Sequence, residues 1–128
     1  MIQRLTWVKL ADSSQAQWLK TFHLYKGFNR KIASTGDYIK GSVRVIQAVP
    51  DPYKGFSVKR INKGKVTQAV IVRQSYQYKL TSGTVVRSWN NESILLKDDR
   101  SVLIKHTIGP CFSAVRKKNI MTLFKSVV

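Results

Sequence analysis

The residues from 66 to 80 alternate between two kinds of side chain. Apolar and aromatic residues hold one parity and mostly polar or basic residues hold the other: Val70, Val72, Tyr76, Tyr78 and Leu80 against Ile71, Arg73, Ser75, Gln77 and Lys79. A period of two is the pattern of a β-strand that buries one face and presents the other to a polar environment. The sequence therefore predicts one long strand with a cationic face.

A turn and a second β-prone run follow this strand. Gly83 lies in the turn, and the apolar residues of 85–89 form the second run, so a long β-hairpin is expected. No acidic residue occurs between Asp51 and Glu92. Eight basic residues lie in that interval: Lys54, Lys59, Arg60, Lys63, Lys65, Arg73, Lys79 and Arg87. The hairpin and the segment before it are thus predicted to carry uncompensated positive charge.

Shorter segments of the same kind lie on both sides of the hairpin. Residues 5–10, 18–25 and 39–45 are strand-like before it, and residues 94–96 and 102–104 flank a turn after it. Beyond Phe112 the apolar residues adopt helical spacing, which predicts one helix or two short ones as a lid over an open end of the fold. With 128 residues, the chain is expected to form one domain, a small closed or nearly closed β-barrel.

The balance of charge indicates the class of partner. Lys and Arg number 23 against 6 Asp and Glu, which gives a net charge of +17. A compact domain resists so much like charge unless a polyanion neutralises it. Nucleic acid is favoured over an anionic membrane, because no apolar run approaches the roughly 18 residues that span a bilayer. The glycine-bearing basic loop at 26–31 is a candidate for phosphate contact.

Catalytic and metal-binding patterns were not found in the sequence. The single cysteine, Cys111, excludes an intrachain disulfide and is expected to be a small buried hydrophobic residue in a reducing compartment. Asp98 and Asp99 are adjacent carboxylates without a third acid nearby, so a turn is expected there. No nucleophile motif or phosphate-binding glycine loop occurs. The sequence predicts a protein that is not an enzyme and that uses no metal or cofactor.

Several short groups of residues, spread along the whole chain, match the order and spacing of a known family. They begin with Met1-Ile2-Gln3, Thr6, Lys9, Ala11-Asp12, Ser14 and Ala16, continue with Arg30, Ala33, Gly36-Asp37 and Ile39, then Lys63-Gly64, Ala69-Val70-Ile71-Val72-Arg73, Gly83, Arg87 and Asn91, and end with Gly109-Pro110 and Arg116. Each piece is weak alone. In combination, the sequence resembles the large-subunit ribosomal protein fourteen family in its bacterial and organellar form.

This resemblance implies a mainly β fold, a five-stranded barrel of the OB or SH3 type, with a long β-hairpin and a C-terminal helical segment over about 110–126. It also implies a structural role in the large ribosomal subunit at the subunit interface. The implied partners are large-subunit rRNA, neighbouring large-subunit proteins, small-subunit rRNA across an intersubunit bridge, and a ribosome-silencing factor. Against this family, residues 50–60 are interpreted as a loop insertion, which surface loops tolerate.

The basic pattern and the resemblance together single out two groups of residues. The expected rRNA-binding residues are Gln3, Lys9, Ser14, Lys26, Arg30, Lys31, Arg44, Lys63, Arg73, Lys79 and Arg87. The residues expected at an intersubunit bridge or protein contact are Lys105, His106, Arg116, Lys117 and Lys118. Cations of this kind act by neutralising phosphates and releasing counterions.

The sequence leaves alternatives open for both the cellular location and the function. The degenerate signatures and the Met1-Ile2-Gln3 start predict an organellar member made inside a mitochondrion, with a bacterial cytoplasm or a plastid as the alternatives. The alternative function is a free OB-like RNA chaperone that stacks single-stranded bases on Tyr76, Tyr78 or Trp89. An RNA-modifying enzyme is a third class, for which the sequence offers no nucleophile or cofactor site.

Overall fold

The chain folds around a closed five-stranded barrel. The computed structural model describes residues 2–25, 27, 31–47, 61–104, 106–118 and 120–128, with the side chains of 116–118 and 121 left aside. Its strands are β1 Trp7–Leu10, β2 Ala16–Leu24, β3 Tyr38–Ile46, β4 Val66–Arg73, β5 Tyr78–Lys79, β6 Val85–Val86 and β7 Glu92–Leu96. The predicted mainly β fold with a small five-stranded barrel is confirmed, whereas the predicted insertion at 50–60 lies outside the described residues.

The barrel closes in the order β1-β2-β3-β4-β7. Four of its strand pairs are antiparallel, and the fifth pair, β1 with β7, is parallel and places Lys9 opposite Glu92. Gly41 allows β2 and β3 to approach closely, because a Cβ at this position would lie 2.5 Å from the backbone oxygen of Lys20. The remaining two strands, β5 and β6, form a separate two-stranded sheet.

Alternate side chains of the barrel strands fill its interior. This buried cluster contains Ile2, Val8, Leu10, Ala16, Leu19, Leu24, Ala33, Ile39, Val43, Ile61, Ala69, Ile71 and Leu95. Its members share one parity on β1, β3 and β4, as the alternation of side chains along a strand requires. On β2 the parity changes between Ala16 and Leu19 and again before Leu24, where the pairing with β3 is irregular. The residues of the other parity therefore point outward, and the barrel has an outer surface whose character differs from strand to strand.

The single long strand predicted over 66–80 is wrong, because β4 ends at Arg73. Beyond that point the regular strand ladder stops, and side chains take part in the hydrogen bonds of Gln74 and Ser75. The Gln74 side-chain oxygen accepts from the Thr35 N–H at 2.9 Å, and the Ser75 N–H donates to the Asn91 side chain at 3.0 Å. A strand resumes only at Tyr78, so the long hairpin is reduced to the short β5–β6 pair.

Both faces of β4 are buried, which corrects the predicted cationic face. Ala69 and Ile71 point into the barrel, whereas Val70 and Val72 point outward into a second apolar cluster. This second cluster comprises Ala11, Val70, Val72, Ile94, Leu96, Cys111, Val115, Ile120 and Phe124. We call the outward side of β4 and β7 the covered wall, because the C-terminal segment packs on it.

The sequence predicts that the C-terminal segment is a lid over an open end of the barrel, and this prediction is wrong. The segment instead covers one side of the barrel. Its helical part consists of two 3-10 helices, Ser113–Lys118 and Met121–Leu123. The Phe112 N–H donates to the Val72 carbonyl at 3.1 Å, which joins the segment to β4. The chain end returns beside Cys111, whose N–H donates to the Ser126 carbonyl at 3.1 Å.

The predicted second hairpin is present only in part. Its first arm is β7, and its second arm is reduced to an isolated bridge between Leu96 and Val102. The turn between them carries Arg100 at a φ of 64°, and the Arg100 guanidinium lies 4.4 Å from the centre of the Tyr38 ring. This cation–π contact holds the turn against the start of β3.

Candidate nucleic-acid interface

The outward side of β1, β2 and β3 differs in chemistry from the covered wall. Aromatic and basic side chains predominate there and include Trp7, Lys9, Trp18, Lys20, Phe22, Lys40 and Arg44. Trp7 is 47% exposed and Phe22 is 42% exposed. Lys9 and Arg44 are exposed, while Lys20 and Lys40 are half-buried. We call this surface the open wall.

The strand register arranges the open wall as a checkerboard. In the antiparallel pair of β1 and β2, Trp7 lies opposite Lys20, and Lys9 lies opposite Trp18. Directly paired residues have Cβ atoms about 5 Å apart, so each indole has an ammonium group beside it on the same face. Lys20 in turn lies opposite Ser42 of β3, which extends the row across a third strand.

The cations of the open wall have no acidic partner among the described residues. Across the described ranges, Lys9, Lys20, Lys40 and Arg44 have no Asp or Glu oxygen within 4.0 Å. The nearest acid along the strands is Glu92, which lies opposite Lys9 but pairs with Arg73 instead. Uncompensated cations fixed on rigid strands form a surface that attracts a polyanion.

Three of the predicted RNA-binding residues lie along one end of this wall. Lys9 and Arg44 belong to it, and Lys63 is brought beside β3 by the turn that precedes β4. In this turn the Gly64 N–H donates to the Val43 carbonyl at 2.7 Å, and Gly64 has a φ of 87°, a conformation that favours glycine. All three cations are exposed.

Two further predicted residues lie near the start of the chain. Gln3 and Lys31 are both exposed, and the bridge between Ile2 and Ala33 brings their segments together. Ser14 is instead half-buried in the loop after β1, where its hydroxyl donates to the Asp12 carboxylate. Its backbone and side chain are therefore engaged in shaping that loop.

Lys79 and Arg87 lie away from the open wall, on and beside the β5–β6 pair. Both are exposed. Arg87 lines a cavity of about 440 Å³ together with Ser75, Ser88 and Trp89. These two cations therefore form a second, separate basic region.

Arg73 is placed inside the protein rather than on its surface. Its guanidinium pairs with Glu92, donates to the Ile108 carbonyl at 2.9 Å and donates to the Pro110 carbonyl. The interpretation of this charge as uncompensated is wrong. Arg73 binds the C-terminal segment to β4 and is not part of the open wall.

The residues expected at a bridge or protein contact are only partly described. His106 is exposed, and its carbonyl accepts from the Ser13 N–H at 3.0 Å. The structure does not describe Lys105, nor Lys26 and Arg30 of the RNA-binding set. The backbone of Arg116, Lys117 and Lys118 forms the second half of the first 3-10 helix, but their side chains lie outside the described part.

Sequence reasoning missed most of the open wall. Its uncounted members are Trp7, Trp18, Lys20, Phe22 and Lys40. The available signal was parity, since Trp7 and Lys9 alternate with the buried Val8 and Leu10. The strand pairing that places these residues side by side is not visible in local sequence.

Asp12 has a structural role that its loop sequence does not reveal. Its carboxylate accepts from the Leu95 N–H at 3.1 Å and from the Ser14 N–H at 3.2 Å. Burial raises the pKa of Asp12 above its ordinary value, and these hydrogen bonds offset only part of that increase. Asp12 thus attaches the β1–β2 loop to β7 and is turned away from solvent.

Two other kinds of feature are absent from the described residues. No three His, Cys, Asp or Glu side chains come together there as a metal site. No helix within those ranges is long and apolar enough to cross a membrane. The surface chemistry that remains is that of unpaired cations and exposed aromatic rings.

A family comparison adds an independent observation to this geometry. The sequence model of the family described as Ribosomal protein L14p/L23e matches residues 1–128. The match therefore includes the barrel strands, the short β5–β6 pair and the C-terminal segment alike.

Proposed function

The chain belongs to the ribosomal protein L14p/L23e family, and from this premise we propose that it binds large-subunit rRNA through the open wall of its barrel. Membership of the family confirms the resemblance noted in the sequence and makes the chain a structural protein of the large ribosomal subunit. The family is non-enzymatic. The proposal adds which face of the barrel meets the RNA.

The observation that carries this proposal is the row of unpaired cations on three adjacent strands. Lys9, Lys20 and Lys40 are held at fixed positions by the strand ladder, and no acid neutralises them within the described chain. Each cation that meets a phosphate releases a condensed counterion, which makes binding favourable and dependent on salt. The barrel supplies geometry, and the RNA supplies the missing negative charge.

The contact partners and the cellular location are assigned from the family resemblance. We propose that His106 and the neighbouring basic segments, Lys105 and 116–118, face a neighbouring large-subunit protein, small-subunit rRNA across the subunit interface, or a ribosome-silencing factor. His106 is exposed, which such a contact requires. We further propose a mitochondrial ribosome as the location, with a bacterial or plastid ribosome as the alternatives.

The proposal is tested by comparing two double variants in rRNA binding. Lys20→Ala with Lys40→Ala removes two cations of the open wall, whereas Lys97→Ala with Lys125→Ala removes two exposed cations elsewhere. The first pair is expected to reduce the slope of log affinity against log salt by about 1.4 to 1.8. The control pair is expected to change it by less than half as much. Equal slopes for the two pairs would reject the open wall as the RNA-binding face.

Sedimentation separates this function from that of a free chaperone. Of the three rings named for the chaperone, Trp89 is 93% exposed, whereas Tyr78 stacks on Phe112 with ring centres 6.3 Å apart. A ribosomal protein is expected to sediment with large subunits in cell extracts. Recovery of the native protein only in the soluble fraction would favour the chaperone.

A further inference from the structure

The aromatic rings of the open wall remain unexplained by phosphate binding. Trp7 and Phe22 expose close to half of their surface, although nearby positions on the same strands are buried. The Leu5 N–H donates to the carbonyl of Thr21, the residue before Phe22, and Leu5 is also exposed. Clustered apolar groups of this kind on a folded surface are typical of a binding site.

The pairing of rings with cations indicates the ligand. Trp7 faces Lys20 across one strand pair, and Phe22 follows Lys20 on the same outward side of β2. An unpaired nucleotide presents both a flat base and a charged phosphate, so the base can stack on the ring while the phosphate meets the ammonium group. A duplex keeps its bases stacked on each other and offers this wall only phosphates.

A protein partner fits the same wall less well. Such a partner would have to bring acidic side chains to four unpaired cations and desolvate them in the interface. A single strand of RNA provides one phosphate with each base and needs no further compensation. The net charge of +17 favours the RNA ligand over an acidic protein throughout the surface.

We propose that the open wall binds an unpaired segment of RNA, with bases stacked on Trp7 and Phe22 and phosphates on the adjacent lysines. This inference rests on the proposed function and deepens it by naming single-stranded nucleotides as the element recognised. It assigns Trp7 and Phe22 to base contact, and Lys9, Lys20 and Lys40 to phosphate contact.

The test uses the full chain and replaces rings with leucine, which keeps an apolar side chain but removes the stacking surface. The variant is Trp7→Leu with Phe22→Leu, and the control is Ile108→Ala, because Ile108 is an apolar residue that is 62% exposed and lies outside the open wall. The probes are a labelled oligouridine strand and an RNA duplex of equal length. Thermal unfolding of each variant verifies the fold before binding is measured.

The double variant is expected to lose about tenfold or more in affinity for oligouridine, since each stacked base contributes at least several-fold. Its affinity for the duplex and its salt slope are expected to stay as in the unmodified chain. The control is expected to bind oligouridine within about twofold of the unmodified chain. An unchanged oligouridine affinity for the double variant, or an equal loss in the control, would overturn the assignment.

Failure of this inference is distinguishable from failure of the proposed function. If the ring variant binds normally while Lys20→Ala with Lys40→Ala still reduces the salt slope, rRNA binding stands and base stacking falls. A photo-crosslinking residue at position 7 in assembled large subunits adds a second measurement. Crosslinks to RNA nucleotides support the inference, and crosslinks confined to a protein overturn it in favour of a protein partner.

Discussion

The covered wall and the open wall are built from the same alternating strands but have opposite outward chemistry. On β4 and β7 the outward residues Val70, Val72, Ile94 and Leu96 are aliphatic, and the chain covers them with its own C-terminal segment. On β1 to β3 the outward residues are basic and aromatic, and the described part of the chain leaves them in contact with solvent. The type of residue at outward positions therefore indicates whether the described chain covers a wall itself or leaves it open.

Arg73 and Lys20 show the same contrast at the level of single cations. Arg73 has a carboxylate partner and carbonyl acceptors from the C-terminal segment, so its charge stabilises the fold. Lys20 has no acidic partner within the described residues and lies beside a tryptophan. The comparison separates cations that hold the protein together from cations that are available to RNA.

The largest expected effect is that of removing the Arg73 side chain. Arg73→Ala leaves Glu92 without its ion pair and frees two carbonyl groups. We expect the free energy of unfolding to fall by about 3 kcal/mol, because a poorly solvated carboxylate loses its partner. Denaturant titration measures this loss. The control Arg87→Ala, at an exposed position, is expected to cost less than about 0.5 kcal/mol, and equal losses would contradict the contrast.

Alanine substitutions at two glycines test how tightly the C-terminal segment packs on the barrel. Gly36 and Gly83 have φ values of 89° and 88°, so alanine suffers similar backbone strain at both. A Cβ at Gly36 would lie 2.8 Å from the Ala114 carbonyl oxygen, whereas a Cβ at Gly83 has no atom within 4 Å. Gly36→Ala is expected to reduce the free energy of unfolding by about 1 kcal/mol more than Gly83→Ala. A smaller loss at Gly36 would show that the segment is loosely packed.

The local pattern of the sequence predicts the barrel but not the fate of individual cations. In sequence, Arg73 and Lys79 are equivalent members of one alternating run. Arg73 becomes internal because Glu92, 19 residues later, and the carbonyl of Ile108, 35 residues later, converge on it. Similarly, directly after the end of β4, the Gln74 side chain bonds with Thr35, a partner 39 residues away. Such long-range contacts leave no periodic signal.

The open wall is predictable from the sequence only in part, because alternation along a strand is a local signal and strand pairing is not. Parity alone identifies Lys9 and Arg44 as outward residues, and both were expected to bind RNA. The apposition of Trp7 with Lys20 depends on the register of β1 with β2, which the intervening loop sets. Asp12, in that loop, is buried and bonded to β7, and its short polar neighbours predict only a turn.

The pH dependence of stability tests the burial of Asp12 and is expected to be smaller. Burial raises the pKa of Asp12 in the folded state above its value of 3.8 in the unfolded chain. The folded state therefore binds the proton more tightly, so this contribution to stability is greatest below the unfolded pKa and is lost as pH rises through the folded pKa. Relative to Asp12→Asn, the unmodified chain is expected to gain stability as pH falls through that window. A constant difference across the window would contradict the raised pKa.

The smallest expected effect on stability is that of changing the open wall itself. Lys20→Ala with Lys40→Ala removes no ion pair that the described residues make. The free energy of unfolding is expected to change by less than about 0.5 kcal/mol, with any gain seen at low salt because like charges are removed. Denaturant titration at two salt concentrations measures it. A loss comparable to that of Arg73→Ala would mean that the open wall holds the fold together.

The chemical reactivity of the lysines tests the division between the two walls most directly. Amine acylation, followed by mass spectrometry, gives the rate at Lys9, Lys20 and Lys40 in the free protein and in the rRNA-bound protein. Our account predicts that RNA slows acylation at all three, while Lys97, in the turn after β7, reacts at a nearly unchanged rate. Equal rates at Lys9, Lys20 and Lys40 with and without RNA would contradict it.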